Sequence, residues 1–125
     1  MLIKHLLDCI EFTAGDKSRL REIFNPKKDT LNLHYSLAWA MVRPHERTLP
    51  HRLKFSEVYY IIKGTGKMNI DNEKREIAAN DIVYIPPRAI QYLENTAEEN
   101  LEFLCIVDPA WEPTAEEILS ASNEE

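Results

Sequence analysis

The strongest pattern in the chain is an alternation of two kinds of residue that begins near residue 31. In the segment 31–42, the larger residues Tyr35, Leu37, Trp39 and Met41 alternate with His34, Ser36, Ala38 and Ala40. A period of two residues is typical of a β-strand with two different faces. The segment therefore predicts a strand whose two faces meet different surroundings.

Further short strands follow, separated by residues that favour turns. The segments that fit strands by composition or pattern are 57–62, 67–70, 73–77, 82–85, 89–93 and 101–107. Asp71 and Asn72 lie between two of these segments, and both residue types tolerate positive φ, so we expect a tight two-residue hairpin there. Many short strands at this spacing predict an all-β barrel or sandwich.

The two ends of the chain give weaker signals. Residues 18–24 fit either a helix or a short strand, and the run is too short for periodicity to decide between them. Near the other end, Thr114 and Glu117 form a capping-box pattern directly after Pro113. This pattern predicts a short C-terminal helix over about residues 114–121.

Length and charge narrow the class of protein. A chain of 125 residues predicts one domain, residues 1–125, with the barrel over about 31–108. The net charge is −6 and no large Lys/Arg cluster is present, which argues against a nucleic-acid partner. No apolar run approaches the ~20 residues that span a bilayer, and the start lacks the pattern of a signal peptide. We therefore expect a cytoplasmic protein without a membrane partner, whose late acidic residues, among them Glu116, keep it soluble.

The two cysteines do not form a disulfide framework, because two are too few. Cys105 lies in the apolar run 104–107, where a buried and inert thiol is the default. A thiol that lines a pocket is the open alternative.

Candidate chemistry begins with His51 and Glu57. On its predicted strand, Glu57 shares one face with Tyr59 and Ile61. An unpaired carboxylate is costly to bury, so Glu57 should be exposed, ion-paired or bound to a metal ion. Spacing alone favours the plainer interpretation, in which Glu57 points to water and His51 lies in a loop.

Two motifs in the chain resemble those of the cupin superfamily. The first is His51-Arg-Leu-(x)3-Glu57-(x)6-Gly64, and the second is Asn80-Asp81-(x)4-Pro86-(x)4-Gln91-(x)3-Asn95. The strings SEVYYIIKGTG and DIVYIPP are also similar to cupin sequences. The resemblance spans about residues 40–107 and implies a double-stranded β-helix, which is a jelly-roll barrel of antiparallel strands.

The resemblance also implies a metal site, from which this chain departs at two positions. The family's motifs usually supply three histidines and a glutamate to one divalent ion, often iron, manganese, nickel or zinc. His51 and Glu57 match this set, but Leu53 and Gln91 stand where the other two histidines usually are. We take His51, Glu57 and Gln91 as the candidate metal ligands. His34, His45 and Cys105 are the further candidates to complete the site, and no motif supports them.

A pocket is expected around these residues whether or not metal binds. Its predicted lining consists of Leu53, Tyr59, Trp39 and Leu93, although such side chains are more often plain core. Arg88 stands where the family often has a turn glycine, and either a surface turn or a cation near the pocket mouth would explain it.

Three functions remain open from the sequence. The working prediction is a pocket that binds a divalent metal ion and a small organic ligand, with no reaction assigned. The alternatives are a metal-free cupin that binds a small molecule and a structural dimeric barrel with a vestigial site. We expect a homodimer, because outer apolar positions such as Val58 and Tyr60 need cover.

Overall fold

The apolar segments of the chain form short antiparallel strands, as their composition predicts. The computed structural model describes residues 1–119. The strands in this range are β1 (Glu11–Thr13), β2 (Arg19–Phe24), β3 (Ser36–Val42), β4 (His51–Leu53), β5 (Ser56–Lys63), β6 (Thr65–Ile70), β7 (Glu73–Ala78), β8 (Ile82–Ile85), β9 (Gln91–Glu94), β10 (Leu101–Asp108) and β11 (Glu116–Ile118). Two single 3₁₀ turns, Leu6–Asp8 and Pro113–Ala115, are the helical segments of the described residues.

The strands form two antiparallel sheets. The first sheet has the order β1-β2-β3-β10-β5-β8, and the second has the order β11-β4-β9-β6-β7. Neighbours in each sheet are mostly distant in the chain, as in a jelly roll, where successive strands cross between sheets. The all-β prediction and the double-stranded β-helix are therefore confirmed. The Asp71-Asn72 hairpin is also present, because Ile70 pairs with Glu73 directly across it.

Alternation along β5 builds the wall of the barrel interior. Glu57, Tyr59 and Ile61 are buried, whereas Tyr60 on the opposite face is exposed. Phe103 on β10 packs on Tyr59, with ring centroids 4.6 Å apart. The hydrophobic core continues from these residues through the inner faces of both sheets.

On β3 the small residues face the interior and the large ones face outward. Trp39, which we expected in the pocket, lies on the outer face of the sheet. Its Nε1 donates to Glu102 Oε1 at 3.2 Å, and the Arg21 guanidinium lies 5.5 Å from its ring centre. The Trp39 side chain is therefore buried by neighbouring strands rather than by the barrel interior. Alternation correctly gives two faces, but it does not say which one points inward.

Both chain ends extend the sheets. Residues 19–24, for which helix and strand were open, form β2 between β1 and β3. The expected C-terminal helix is wrong for the described residues: after one 3₁₀ turn, β11 pairs antiparallel with β4. Backbone pairing with β4 outweighs the local capping-box signal, and Thr114 Oγ1 contacts Glu112 at 3.4 Å instead of capping a helix. Residues 120 and 121 of that expected helix lie outside the described residues.

Candidate functional site

A cavity of about 180 Å³ lies inside the barrel and is lined by residues from both sheets. Its space follows from the sequence of β3, since the inward residues Ser36, Ala38 and Ala40 are small. Tyr59 and Phe103 form an aromatic wall. This volume is smaller than that of pockets for drug-sized ligands, so it suits a small molecule.

A buried chain of hydrogen bonds runs along one wall of the cavity. The Tyr59 hydroxyl donates to Gln91 Oε1 at 2.9 Å, and Gln91 Nε2 donates to Glu57 Oε1 at 2.9 Å. Glu57 is 6% exposed and Gln91 is 1% exposed. The amide of Gln91 therefore has its oxygen engaged by a hydroxyl and its nitrogen turned toward the carboxylate.

His51 lies beside this chain, because β4 pairs with β9 at His51 and Gln91. His51 Nδ1 lies 2.7 Å from the carbonyl oxygen of Leu49. A carbonyl only accepts hydrogen bonds, so Nδ1 carries the proton and donates. The other ring nitrogen, Nε2, then faces Asp16, whose Oδ2 lies 3.7 Å away.

Asp16 enters the site from the β1–β2 turn, outside both sequence motifs. Its Oδ1 accepts hydrogen bonds from the Ser18 backbone nitrogen at 3.0 Å and from Ser18 Oγ at 2.7 Å. The carbonyl oxygen of Asp16 accepts from the Leu49 nitrogen at 2.7 Å. These bonds fix the turn against the segment that carries His51 and hold the carboxylate at the cavity.

Burial controls the charge of Glu57. Removal from water raises the pKa of Glu57 to about 7, against the opposing effects of the Gln91 hydrogen bond and the His51 ring. The negative charges of Asp16 and Glu116 raise the pKa further. Glu57 therefore exchanges a proton near neutral pH, unlike an ordinary glutamate.

Glu116 and Cys105 are two further ionisable residues of the cavity lining. Burial raises the pKa of Glu116, with Asp16 acting in the same direction and His51 in the opposite one. Burial, together with the charge of Glu57, also raises the pKa of the Cys105 thiol well above its usual value. Cys105 thus lines the cavity as a protonated, unreactive thiol, which combines the two alternatives left by the sequence.

The side chains at the four motif positions, His51, Leu53, Glu57 and Gln91, do not fit the bound transition metal that the family resemblance implies. Within residues 1–119, no three His, Cys, Asp or Glu side chains are arranged to hold a metal ion. Leu53 presents a hydrocarbon wall to the cavity, and the oxygen of Gln91 already accepts a hydrogen bond from Tyr59. Transition metals at such sites favour imidazole nitrogen, which here comes from His51 alone.

The structure brings together most of the residues expected at the site. His51, Glu57, Leu53 and Tyr59 line the cavity. Gln91 is not part of the lining, but it is hydrogen-bonded to two lining residues, Glu57 and Tyr59. Leu93 belongs to the core and is 1% exposed, but it is not part of the cavity lining.

The remaining candidates lie elsewhere. His34 borders a separate surface depression, and His45 is exposed, with its Nε2 2.8 Å from Glu98 Oε1. Arg88 has φ of 69° and occupies an outer depression beside Arg52 and Lys54, so it forms a surface turn rather than a cation in the barrel cavity.

Sequence reasoning missed Asp16 and Glu116 as site residues. Glu116 was expected on a solvated surface, but it is half-buried and lines the cavity. The signal for Asp16 was present in the string Ala14-Gly15-Asp16-Lys17-Ser18, since an acidic residue two positions before a serine often forms a turn of this kind. No sequence signal placed that turn against the barrel.

A two-sheet antiparallel barrel with a small cavity between its sheets is a jelly-roll architecture. The comparison with protein families agrees: residues 38–107 match the cupin domain model. The chain therefore belongs to the cupin family.

Similarity to known proteins extends beyond residues 38–107 to most of the chain. The uncharacterized protein MJ1618 of Methanocaldococcus jannaschii is 37% identical over 120 residues, which is 94% of this chain and 95% of that protein. Among solved structures, a cupin 2 conserved barrel domain protein from Salinispora arenicola is similar with a TM-score of 0.76, 20% identity and 92% coverage of both chains. The polyketide cyclase RemF from Streptomyces resistomycificus has a TM-score of 0.80 at 15% identity, covering 98% of this chain and 89% of that one. At these identities the two structures establish the fold.

Proposed function

We propose that this cupin binds a small organic molecule inside its barrel and does so without a resident metal ion. The observation that carries the proposal is the buried Glu57 carboxylate that lines the cavity inside the barrel. Only its Oε1 is hydrogen-bonded within the described residues, by Gln91. The second oxygen is not among the described atoms that are sealed from water without a partner, so it is open to a ligand in the cavity.

The lining supports binding of a compound with both polar and apolar parts. Tyr59, Phe103 and Leu53 supply an apolar wall, while His51 and Glu57 supply polar atoms. Small-molecule sites commonly combine a mostly apolar wall with a few convergent polar groups. The Tyr59–Gln91–Glu57 chain fixes Glu57, and the bond from Nδ1 to the Leu49 carbonyl fixes His51. Groups fixed before a ligand arrives lower the entropy lost on binding.

The proposal is tested by thermal shift and calorimetry with a panel of small neutral, anionic and cationic compounds. A ligand in the cavity should raise the melting temperature, and Ala38→Leu, which fills space in the cavity, should abolish that rise. Ala79→Leu is the matched control, because Ala79 is exposed in a turn. Equal binding by both variants would place the ligand outside the barrel.

A metal-dependent site is the second candidate, and the orientation of His51 favours it. Histidine ligands usually donate one ring nitrogen to a carbonyl or carboxylate, which points the other nitrogen at the metal ion. His51 makes such a bond to Leu49. Elemental analysis of protein purified without an affinity tag decides between the candidates, since stoichiometric iron, manganese, nickel or zinc would contradict the metal-free proposal.

A homodimer is also proposed, on the evidence of the outer face of the first sheet. Two cross-strand rows of large apolar side chains run over β8, β5 and β10. They are Tyr84, Val58 and Ile106 in one row and Ile82, Tyr60 and Leu104 in the other. Ile82 is 70% exposed and Tyr84 is 62% exposed, so the rows form a surface patch of the type that marks protein interfaces.

No helix of the described residues is long and apolar enough to cross a membrane. A cytoplasmic location stays a prediction.

A further inference from the structure

Acidic side chains outnumber basic ones in the cavity lining, and this imbalance bears on the charge of the ligand. Four acidic side chains line the cavity, against one lysine and one histidine. Lys28 Nζ lies 2.8 Å from Glu22 Oε1, so these two charges neutralise each other at the rim. Asp16, Glu57 and Glu116 are then left around the single ring of His51.

Three acceptor atoms of this group have no hydrogen-bond donor within residues 1–119. The Oδ2 atom of Asp16 lies 3.7 Å from His51 Nε2, which is beyond hydrogen-bond range, and Ser18 engages only Oδ1. Glu57 has its second oxygen free of intramolecular bonds. His51 Nε2 is the third atom, and it belongs to a side chain that is 3% exposed.

The His51 observation is independent of the acidic residues. With Nδ1 donating to Leu49, the neutral ring presents a lone pair at Nε2 toward the cavity. This nitrogen is not among the described atoms that are sealed from water without a partner, so it is open to the contents of the cavity. A carboxylate oxygen and an imidazole lone pair that are both open to the cavity favour a ligand that donates hydrogen bonds.

The chemistry of the lining excludes most ligand classes. An anionic ligand would meet Asp16, Glu57 and Glu116 at short range, and such like-charge contacts are costly when desolvated. A neutral alcohol offers a single donor for three acceptors. A primary ammonium group has three N–H donors, no acceptor and a compact positive charge, which match the free atoms of this site.

We propose that the cavity binds a small primary amine in its ammonium form, held between Asp16 Oδ2 and His51 Nε2, which lie 3.7 Å apart. Glu57 lines the same cavity, and the hydrocarbon part of the amine lies against Tyr59 and Phe103. This inference rests on the proposed function, because it names the ligand class of the same cavity. The volume limits the size of the ligand. At about 180 Å³ the cavity is smaller than pockets for drug-sized ligands.

The test compares n-butylamine, n-butanol and butyrate, which share a chain length and differ in charge. At pH 8 the amine is an ammonium ion, because primary alkylamines of this kind titrate near 10. We expect n-butylamine to raise the melting temperature and to give a calorimetric binding curve, and butyrate to give neither. Asp16→Asn should weaken n-butylamine binding about tenfold or more, since it removes the charge but keeps Oδ1 for Ser18.

Controls separate the ligand class from the fold. Glu116→Gln is a second charge-removing variant in case Asp16→Asn disturbs the turn, and it should weaken binding in the same direction. Glu117→Gln is the matched control, because Glu117 is exposed and ion-paired with Arg52. Unchanged affinity in both Asp16→Asn and Glu116→Gln would overturn the assignment of the acidic group.

Failure of the inference and failure of the proposed function give different results. If n-butanol or butyrate binds in the cavity and n-butylamine does not, the amine inference is wrong and the metal-free binding function stands. If Mg²⁺, Mn²⁺ or Zn²⁺ displaces n-butylamine at far lower concentration, the acidic group is a cation site and both are wrong. If no member of the wider panel binds in a manner sensitive to Ala38→Leu, the cavity is not a binding site and both fail.

Discussion

Gln91 Nε2 donates to Glu57 Oε1 at 2.9 Å, inside a barrel where both residues are buried. A glutamine at this position gives the carboxylate a neutral hydrogen-bond partner. Because a neutral amide offsets less of the desolvation of a carboxylate than a cation would, Glu57 keeps a pKa near 7. This one pair explains both the proton exchange of the site and its poor match to a metal.

The pH dependence of stability should reveal Glu57. Its pKa is raised from 4.5 to about 7 on folding, so the folded state binds the proton more tightly. The stabilisation is present below pH 4.5 and is lost as the pH rises toward 7, by on the order of 3 kcal/mol. Glu57→Gln keeps an acceptor for Gln91 and has no proton to lose. Urea unfolding at pH 5 and pH 8 should show a smaller decline for the variant, and parallel declines would contradict the assignment.

Removing the amide of Gln91 should destabilise the barrel. Gln91→Leu leaves the Tyr59 hydroxyl and the Glu57 carboxyl without their partner, at about 1–3 kcal/mol for each buried group. Tyr59→Phe deletes only the hydroxyl and should cost about 1 kcal/mol. Chemical denaturation of the two single variants and the double variant gives the coupling energy. Strict additivity would show that the buried chain does not act as a unit.

Restoring the family's histidines should create a metal site. Leu53→His combined with Gln91→His adds two imidazoles near His51 and Glu57. Metal that binds only the folded state stabilises it by ~4 kcal/mol at a thousandfold excess over the dissociation constant. The melting temperature of the double variant should rise with Zn²⁺ or Ni²⁺, while that of the natural protein should not. An equal rise in the natural protein would show that its own residues complete a site.

The apolar rows on the first sheet should control assembly. Ile82→Glu with Tyr84→Glu places two charges on the outer face of β8 without touching the cavity. Sedimentation at micromolar concentration should give a dimer mass for the natural protein and a monomer mass for this variant. Leu7→Glu is the control, since Leu7 is 70% exposed elsewhere. A natural protein that sediments as a monomer would contradict the dimer outright.

Gly64 should tolerate no side chain. Its φ is +91°, and an added Cβ would lie 2.5 Å from the carbonyl oxygen of Asn100. Both the left-handed backbone and the collision with backbone atoms oppose Gly64→Ala, so we expect a loss of about 3 kcal/mol. Gly15→Ala is the comparison: its added Cβ would meet only the Ile118 side chain at 3.7 Å, and its stability should change by less than about 1 kcal/mol. Circular dichroism melts of the two variants measure the difference.

The sequence predicted the centre of the fold better than its ends, for a physical reason. Strands such as β5 and β10 carry their own signal, since alternation and β-branched residues favour extended backbone. The last strand, β11, carries the signal of a helix and becomes a strand only because β4 offers it a partner. A contact of this kind joins residues far apart in the chain, and local patterns contain no information about it.

The site, like the fold, was predictable from the sequence only in part. His51, Glu57 and Gln91 were found together because two motifs carry them, whereas their hydrogen bonds depend on side-chain geometry across the barrel. Trp39 was predicted to line the pocket, but it lies on the outer face of β3. The size of a residue alone does not show which face of a sheet points inward. Here the interior needs the small residues, and the space they leave is the cavity.

The two segments that close the cavity have a consequence for how this family diversifies. Asp16 and Glu116 lie outside residues 38–107, the part that matches the cupin model, whereas His51, Glu57 and Gln91 lie within it. The two flanking segments lie close together, since a Cβ added to Gly15 would lie 3.7 Å from the Ile118 side chain. The barrel wall that matches the family model is thus joined at the cavity by a flanking turn and a flanking strand, whose charges can change without substitutions in the matched region. Exchange of those two segments alone between relatives should transfer ligand preference, with the shared barrel left untouched.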